Sequence, residues 1–128
     1  MAHLSQHSSP SPKKPWRPRT DGLRTAHVQA ARDILVRGRR DPAWFIQTVL
    51  GSPLWESQQA IVEDVFSQSR IAVKAGHSVG KTYCAARATL AWFYLFPGAS
   101  KIITTAPTWS QVSKLLWAEI GSVFAKIP

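Results

Sequence analysis

The spacing of apolar residues changes character once along this chain, close to Arg70. From about Gly22 to Arg37, residues Leu23, Ala26, Ala30, Ile34 and Leu35 recur near helical spacing, which predicts a helix that stops before Gly38. Arg39, Arg40 and Asp41 then read as a hinge. Asp41 is a natural N-cap and Pro42 suits the first helical position. A short helix is therefore predicted through Trp44, Phe45, Ile46, Val49 and Leu50 to a stop at Gly51. Ser52 and Pro53 open a third helix, in which Trp55, Gln58, Gln59, Ile61, Val62, Val65 and Phe66 make the amphipathic stripe. No internal repeat is visible.

Beyond Arg70 the expected order is strand, helix, strand, helix. Ile71 to Lys74 form the first predicted strand. A helix from near Gly80 to about Phe96, roughly 25 Å long, is ended by Pro97 and Gly98. Ile102, Ile103, Thr104 and Thr105 predict a second strand, closed by Ala106 and Pro107. Thr108 then caps a helix with apolar positions Val112, Leu115, Leu116, Ile120, Val123, Phe124 and Ile127. Strands alternating with helices predict an α/β fold with a parallel sheet. The expected division is a basic disordered tail over 1–20, a helical lead-in over 21–69 and an α/β core over 70–128. A parallel sheet is covered on both faces and needs several strands, yet two are offered, so the expectation is a truncated sheet in a piece of a larger protein.

The chemistry sits between the first predicted strand and the long helix. Lys74, Ala75, Gly76, His77, Ser78, Val79, Gly80, Lys81 and Thr82 satisfy GxxxxGK[ST] with Ala75 in place of the leading glycine, and they do so in the strand-to-helix context that the motif requires. Glycine at Gly76 and Gly80 lets successive main-chain N–H groups curl around a phosphate. The helix N-terminus adds its positive end, Lys81 adds a full charge that reaches β and γ phosphates, and Thr82 offers a hydroxyl oxygen to Mg²⁺. Lys74 either stands beside the phosphates or extends its stem from the strand end. His77 reads as a spacer with an exposed ring.

Charge adds a second theme. The 128 residues carry a net +9, and residues 1–40 hold nine Lys or Arg against Asp21 and Asp33, a local net of +7. Such a front end suits contact with nucleic acid phosphates, or serves only to solubilise the chain. Of the six tryptophans, Trp44, Trp55, Trp92 and Trp117 fall among apolar neighbours and are expected to pack, whereas Trp16 lies between Lys14 and Arg17 and is the candidate for stacking on bases. The single Cys84 excludes an internal disulfide and fits a reducing compartment. No run of about 18 apolar residues occurs, so no membrane span is expected, and Met1 to Pro15 lacks the apolar segment of a secretory signal.

Four pieces in order resemble the N-terminal part of the ATPase domain of phage terminase large subunits, the DNA-packaging motors. They are Asp41 to Phe45, Trp55 followed by Gln58, the loop from Lys74 to Thr82, and Thr105 to Thr108 with Gln111 and Trp117. The resemblance covers about residues 41–128. It implies a partial P-loop NTPase of the helicase-like, additional-strand class, in which these two strands are not neighbours. It also implies ATP and Mg²⁺ as cofactors, Lys81 as the catalytic charge and Thr82 as the Mg²⁺ ligand. Gln58 or Gln59 would hydrogen-bond the adenine edge, and the Thr105 to Thr108 segment would couple the nucleotide to DNA. Implied partners are double-stranded DNA and, for the complete protein, a small terminase subunit and a portal, with an oligomeric ring only then and the bacterial cytoplasm as location.

Absent features bound the expected activity. Hydrolysis needs an apolar strand ending in an aspartate for Mg²⁺ and a glutamate for the attacking water, but after Thr82 the only carboxylate side chain is Glu119, within a helical pattern. Arg87 lies inside the long helix and is not assignable as an arginine finger. The acids of a two-metal nuclease are missing too. The chain is expected to be the ATP-binding part of a larger motor and to be inactive alone. Another helicase-like motor, or a non-enzymatic basic DNA-binding remnant, is the alternative.

Overall fold

The computed structural model describes residues 21–76 and 80–127; residues 1–20, with Trp16, together with His77, Ser78, Val79 and Pro128, lie outside the described residues. Seven helical elements follow one another among those described: α1 (Asp21–Arg40), α2 (Pro42–Thr48), α3 (Glu56–Ser67), α4 (Lys81–Leu95), α5 (Trp109–Gln111), a π-helical segment (Val112–Trp117) and α6 (Ala118–Phe124).

α1 passes straight through Gly38, where the sequence predicts its end. The glycine is there for space: a Cβ would stand 2.5 Å from Leu95 Cδ2 and 2.9 Å from Phe45 Cδ2. A side chain would hold α1 away from α2 and α4, so the hydrogen atom permits the close approach that a stop signal would not need. Beside it, Arg39 Nε donates to the Leu95 carbonyl at 2.7 Å, at the C-terminal end of α4, and the Arg37 guanidinium lies 4.0 Å over the Trp44 ring. These contacts anchor the C-terminal end of α1, whereas residues 22–34 are exposed.

The predicted hinge contracts to Asp41 alone, whose carboxylate accepts from Trp44 N at 2.9 Å and caps α2. α3 begins at Glu56, later than Ser52 and Pro53 suggest. Its start is set by Gln58, whose Oε1 accepts from Trp55 N at 3.1 Å, half of a capping box. The core gathers Phe45, Ile46, Leu50, Leu54, Val62, Cys84, Ala86, Leu90, Ala91, Leu95, Ile120 and Val123 around α4. Trp92 packs between Phe66 and Phe96, with ring centroids at 5.0 and 4.8 Å. Trp44 and Trp92 thus pack as expected, but Trp55 and Trp117 are 69% and 52% exposed.

The expected α/β class, with its parallel sheet and P-loop NTPase core, is corrected: no strand occurs among the described residues, and the architecture is all-α. Segments 71–76 and 101–106 are irregular, and no backbone hydrogen bond joins them among the described residues. β-branched composition favours a strand only where a neighbour accepts the ladder hydrogen bonds and covers the side chains. Neither condition is met: Ile71, Val73, Ile102 and Ile103 remain exposed, Ile103 at 78%.

Candidate functional site

The loop leading into α4 is shaped at its described end by Gly80. This residue is the N-cap of α4 at φ 78°, ψ 28°, the left-handed region that suits glycine, and no side chain caps the helix there. The first-turn N–H groups of α4 therefore have no side-chain acceptor from the N-cap, the arrangement that anions use. Glycine is required for a second reason, since a Cβ at Gly80 would meet Gln58 Nε2 at 2.5 Å.

Lys81, the first residue of α4, folds back across the loop. Its ammonium donates to the carbonyls of Ala75 at 2.5 Å and Gly76 at 2.7 Å. The two ends of the glycine segment are thereby tied together by one cation, although they are five and six residues apart in sequence. Lys81 is exposed, so the charge faces the mouth of the loop.

A cavity of about 530 Å³ opens beside it. One wall is α3, through Ser57, Gln58, Ala60, Ile61 and Asp64; the other is Ile71, Ala72, Val73, Lys74 and Ala75, with Gly80 and Lys81 closing one end. Of the residues expected from the sequence, Gln58, Lys74, Ala75, Gly80 and Lys81 line this one cavity, and Gly76 adjoins it through its bond to Lys81. Thr82 opens instead on a second cavity of about 280 Å³, shared with Lys81, Thr105, Ala106 and Gln111. Lys81 stands between the two. His77, Ser78 and Val79 lie outside the described residues.

Gln58 is more constrained than the resemblance implies. It is buried, its Oε1 is engaged by Trp55 N, and its Nε2 occupies the space that a Cβ at Gly80 would need. It braces the loop from beneath. Gln59 donates its Nε2 to the Leu54 carbonyl at 3.2 Å and is absent from the cavity lining. Thr108 acts as the expected helix cap, accepting from Gln111 N at 3.3 Å.

The two charged residues left unassigned by sequence find each other. Arg87, 5% exposed, donates from Nη1 to Glu119 Oε1 at 2.6 Å and to the Tyr83 carbonyl at 3.1 Å, with its guanidinium 3.3 Å over the Tyr83 ring. Glu119 is thus engaged in pinning α6 to α4 and is not free to orient a water. No spacing signal announces a pair 32 residues apart. Ser57, Ala60 and Asp64 were equally unforeseen as cavity residues, although with Ile61 they recur at three and four along one face of α3. Cys84 is buried between α4 and α3, its Sγ 3.8 Å from the Gln58 carbonyl. Burial pushes its thiol pKa up, an effect that the nearby Arg87 charge partly opposes.

Among the described residues no helix is long and apolar enough to cross a membrane, and no three His, Cys, Asp or Glu gather as a metal site. Compared with protein-family models, curated proteins and solved structures, the chain matches none.

Proposed function

We propose that this chain binds ATP with Mg²⁺ at the loop from Lys74 to Thr82, as the nucleotide-binding part of a DNA-packaging translocase of the terminase large-subunit kind, acting on double-stranded DNA. In the complete motor a small terminase subunit and a portal are its partners. The observation that carries the proposal is the Lys81 ammonium, held over the loop mouth by the carbonyls of Ala75 and Gly76 directly beside an uncapped helix N-terminus. A polyphosphate arriving there exchanges two neutral carbonyl acceptors for charged oxygens, and charge-assisted hydrogen bonds are the stronger kind. The α4 N-terminus adds its partial positive charge to the same place. Thr82 is exposed in the first turn of α4, which fits it to give one oxygen ligand to Mg²⁺. The ion would neutralise phosphate charge. In γ-phosphate cleavage the role of Lys81 is to stabilise developing charge.

The test is equilibrium binding of Mg-ATP to the 128-residue chain by calorimetry. Lys81→Ala should weaken binding at least about tenfold, the scale of one charged hydrogen bond, while circular dichroism remains unchanged. Equal affinity in parent and variant refutes the assignment.

A further inference from the structure

We infer that the cavity between α4, the end of α6 and the connection from α2 to α3 is a second oxyanion site, separate from the loop, which takes a phosphate group through Arg87 and Lys126. It measures about 240 Å³ and is lined by Ser52 and Pro53 of the connection, Tyr83 and Arg87 of α4, and Val123 and Lys126 around the end of α6. It shares no lining residue with the two cavities at the loop, and no acidic side chain lines it. Arg87 carries the inference. It is 5% exposed, and its Nη1 is committed to Glu119 and to the Tyr83 carbonyl. Its Nε is buried without a hydrogen-bond partner among the described residues, and Nη2 takes part in neither of the bonds that this side chain makes. Nε and Nη2 form one edge of the planar guanidinium, a fork that matches two oxygens of a phosphate or carboxylate. Folded proteins satisfy nearly all buried donors with protein groups, water or ions, and here the fork is unspent.

The surroundings hold that fork in place and add charge to it. The Tyr83 ring lies 3.3 Å from the guanidinium carbon and fixes its plane, while the Tyr83 hydroxyl is spent on the Pro53 carbonyl at 2.8 Å. Glu119 balances the charge of Arg87 from outside the cavity lining. Lys126 is exposed and makes no ion pair among the described residues, so its charge is not offset. Ser52 is a further donor: it is 6% exposed, and its hydroxyl reaches the Leu50 carbonyl only at 3.4 Å, long for an O–H···O bond. Donors from three separate segments suit a tetrahedral group, whose oxygens point in several directions; a carboxylate offers two oxygens in one plane. With a water taking about 30 Å³, the cavity has room for a phosphate and bridging water.

The experiment measures calorimetric binding of inorganic phosphate, and of acetate, to the full chain at constant ionic strength. Lys81→Ala, which disables the loop alone, serves as the background and should still bind phosphate. Adding Lys126→Ala, at an exposed position, should weaken phosphate about tenfold, the scale of one charged hydrogen bond, with an unchanged circular dichroism spectrum. Adding Arg87→Met with Glu119→Leu instead, which removes the guanidinium without stranding a carboxylate, should abolish phosphate binding; if that protein does not fold, the Lys126→Ala result decides. Acetate should bind the background at least about tenfold more weakly than phosphate, since it leaves one of the donors unused. Absence of phosphate binding in the Lys81→Ala background, or an affinity unchanged by Lys126→Ala, overturns the site. Acetate binding as tight as phosphate overturns the tetrahedral ligand. None of these outcomes bears on whether the loop binds Mg-ATP.

Discussion

Replacing Gly80 by alanine probes the loop from two directions at once. At φ 78° a residue with a Cβ is destabilised by about 1–2 kcal/mol relative to glycine. The added methyl would also stand 2.5 Å from Gln58 Nε2. That amide is the end of a flexible side chain, yet Gln58 is buried and its Oε1 is tied to Trp55 N at 3.1 Å. Moving aside breaks a bond worth about 1 kcal/mol, so Gly80→Ala should lose about 2–3 kcal/mol in all. Gln58→Ala alone loses the same cap bond and leaves a space. In the double variant the collision is gone while the backbone strain remains, so the combined loss should fall short of the sum by about 1 kcal/mol. Urea denaturation followed by far-ultraviolet circular dichroism, with unchanged m, measures each value. A Gly80→Ala protein within about 0.5 kcal/mol of the parent would refute the left-handed assignment. Strict additivity would refute the Gly80–Gln58 contact.

Two further perturbations test the packing around α4. Glu119→Ala leaves the Arg87 guanidinium buried without its carboxylate and with Nε already unpartnered. The expected loss is about 3 kcal/mol, at the lower end of the usual range because Glu119 is itself a third exposed. Arg87→Met with Glu119→Leu should be more stable than Glu119→Ala in the same urea assay; if it is less stable, the uncompensated charge is not the cause. Cys84 tests burial through pH. Its folded-state thiol pKa is raised, so the unfolded chain releases this proton first as pH rises. The contribution is fully present below the ordinary thiol range and declines as pH climbs through it to the raised value. Thiol-reagent labelling of the folded chain should accordingly be slower than that of a free cysteine at alkaline pH, and equal rates would contradict the burial.

Several local features are legible in residue order because neighbours in sequence create them. Asp41 and Pro42 announce the start of α2, Thr108 announces that of α5, and the glycine-rich segment before Lys81 announces a turn into α4, since each depends on hydrogen bonds or dihedral preferences spanning only a few residues. Gly38 escapes such local rules. Its meaning lies in Leu95 and Phe45, which arrive from other helices, and a local rule takes it for a stop signal.

The irregular segments show the limit most clearly. Alternation and β-branching over 71–74 and 102–105 are real local preferences, but a strand exists only when another strand takes up its N–H and C=O groups, and no residue pattern guarantees that partner. Position along the chain was enough to mark the turn at Gly80 and the helix that Lys81 opens. Tertiary packing alone decided that Arg87 closes on Glu119, that Gln58 props Gly80 from below, and that the face of α3 bearing Asp64 becomes the wall of a cavity. Those outcomes depend on which helices meet, and contact between distant segments is governed by how buried surface and charge are shared across the whole molecule.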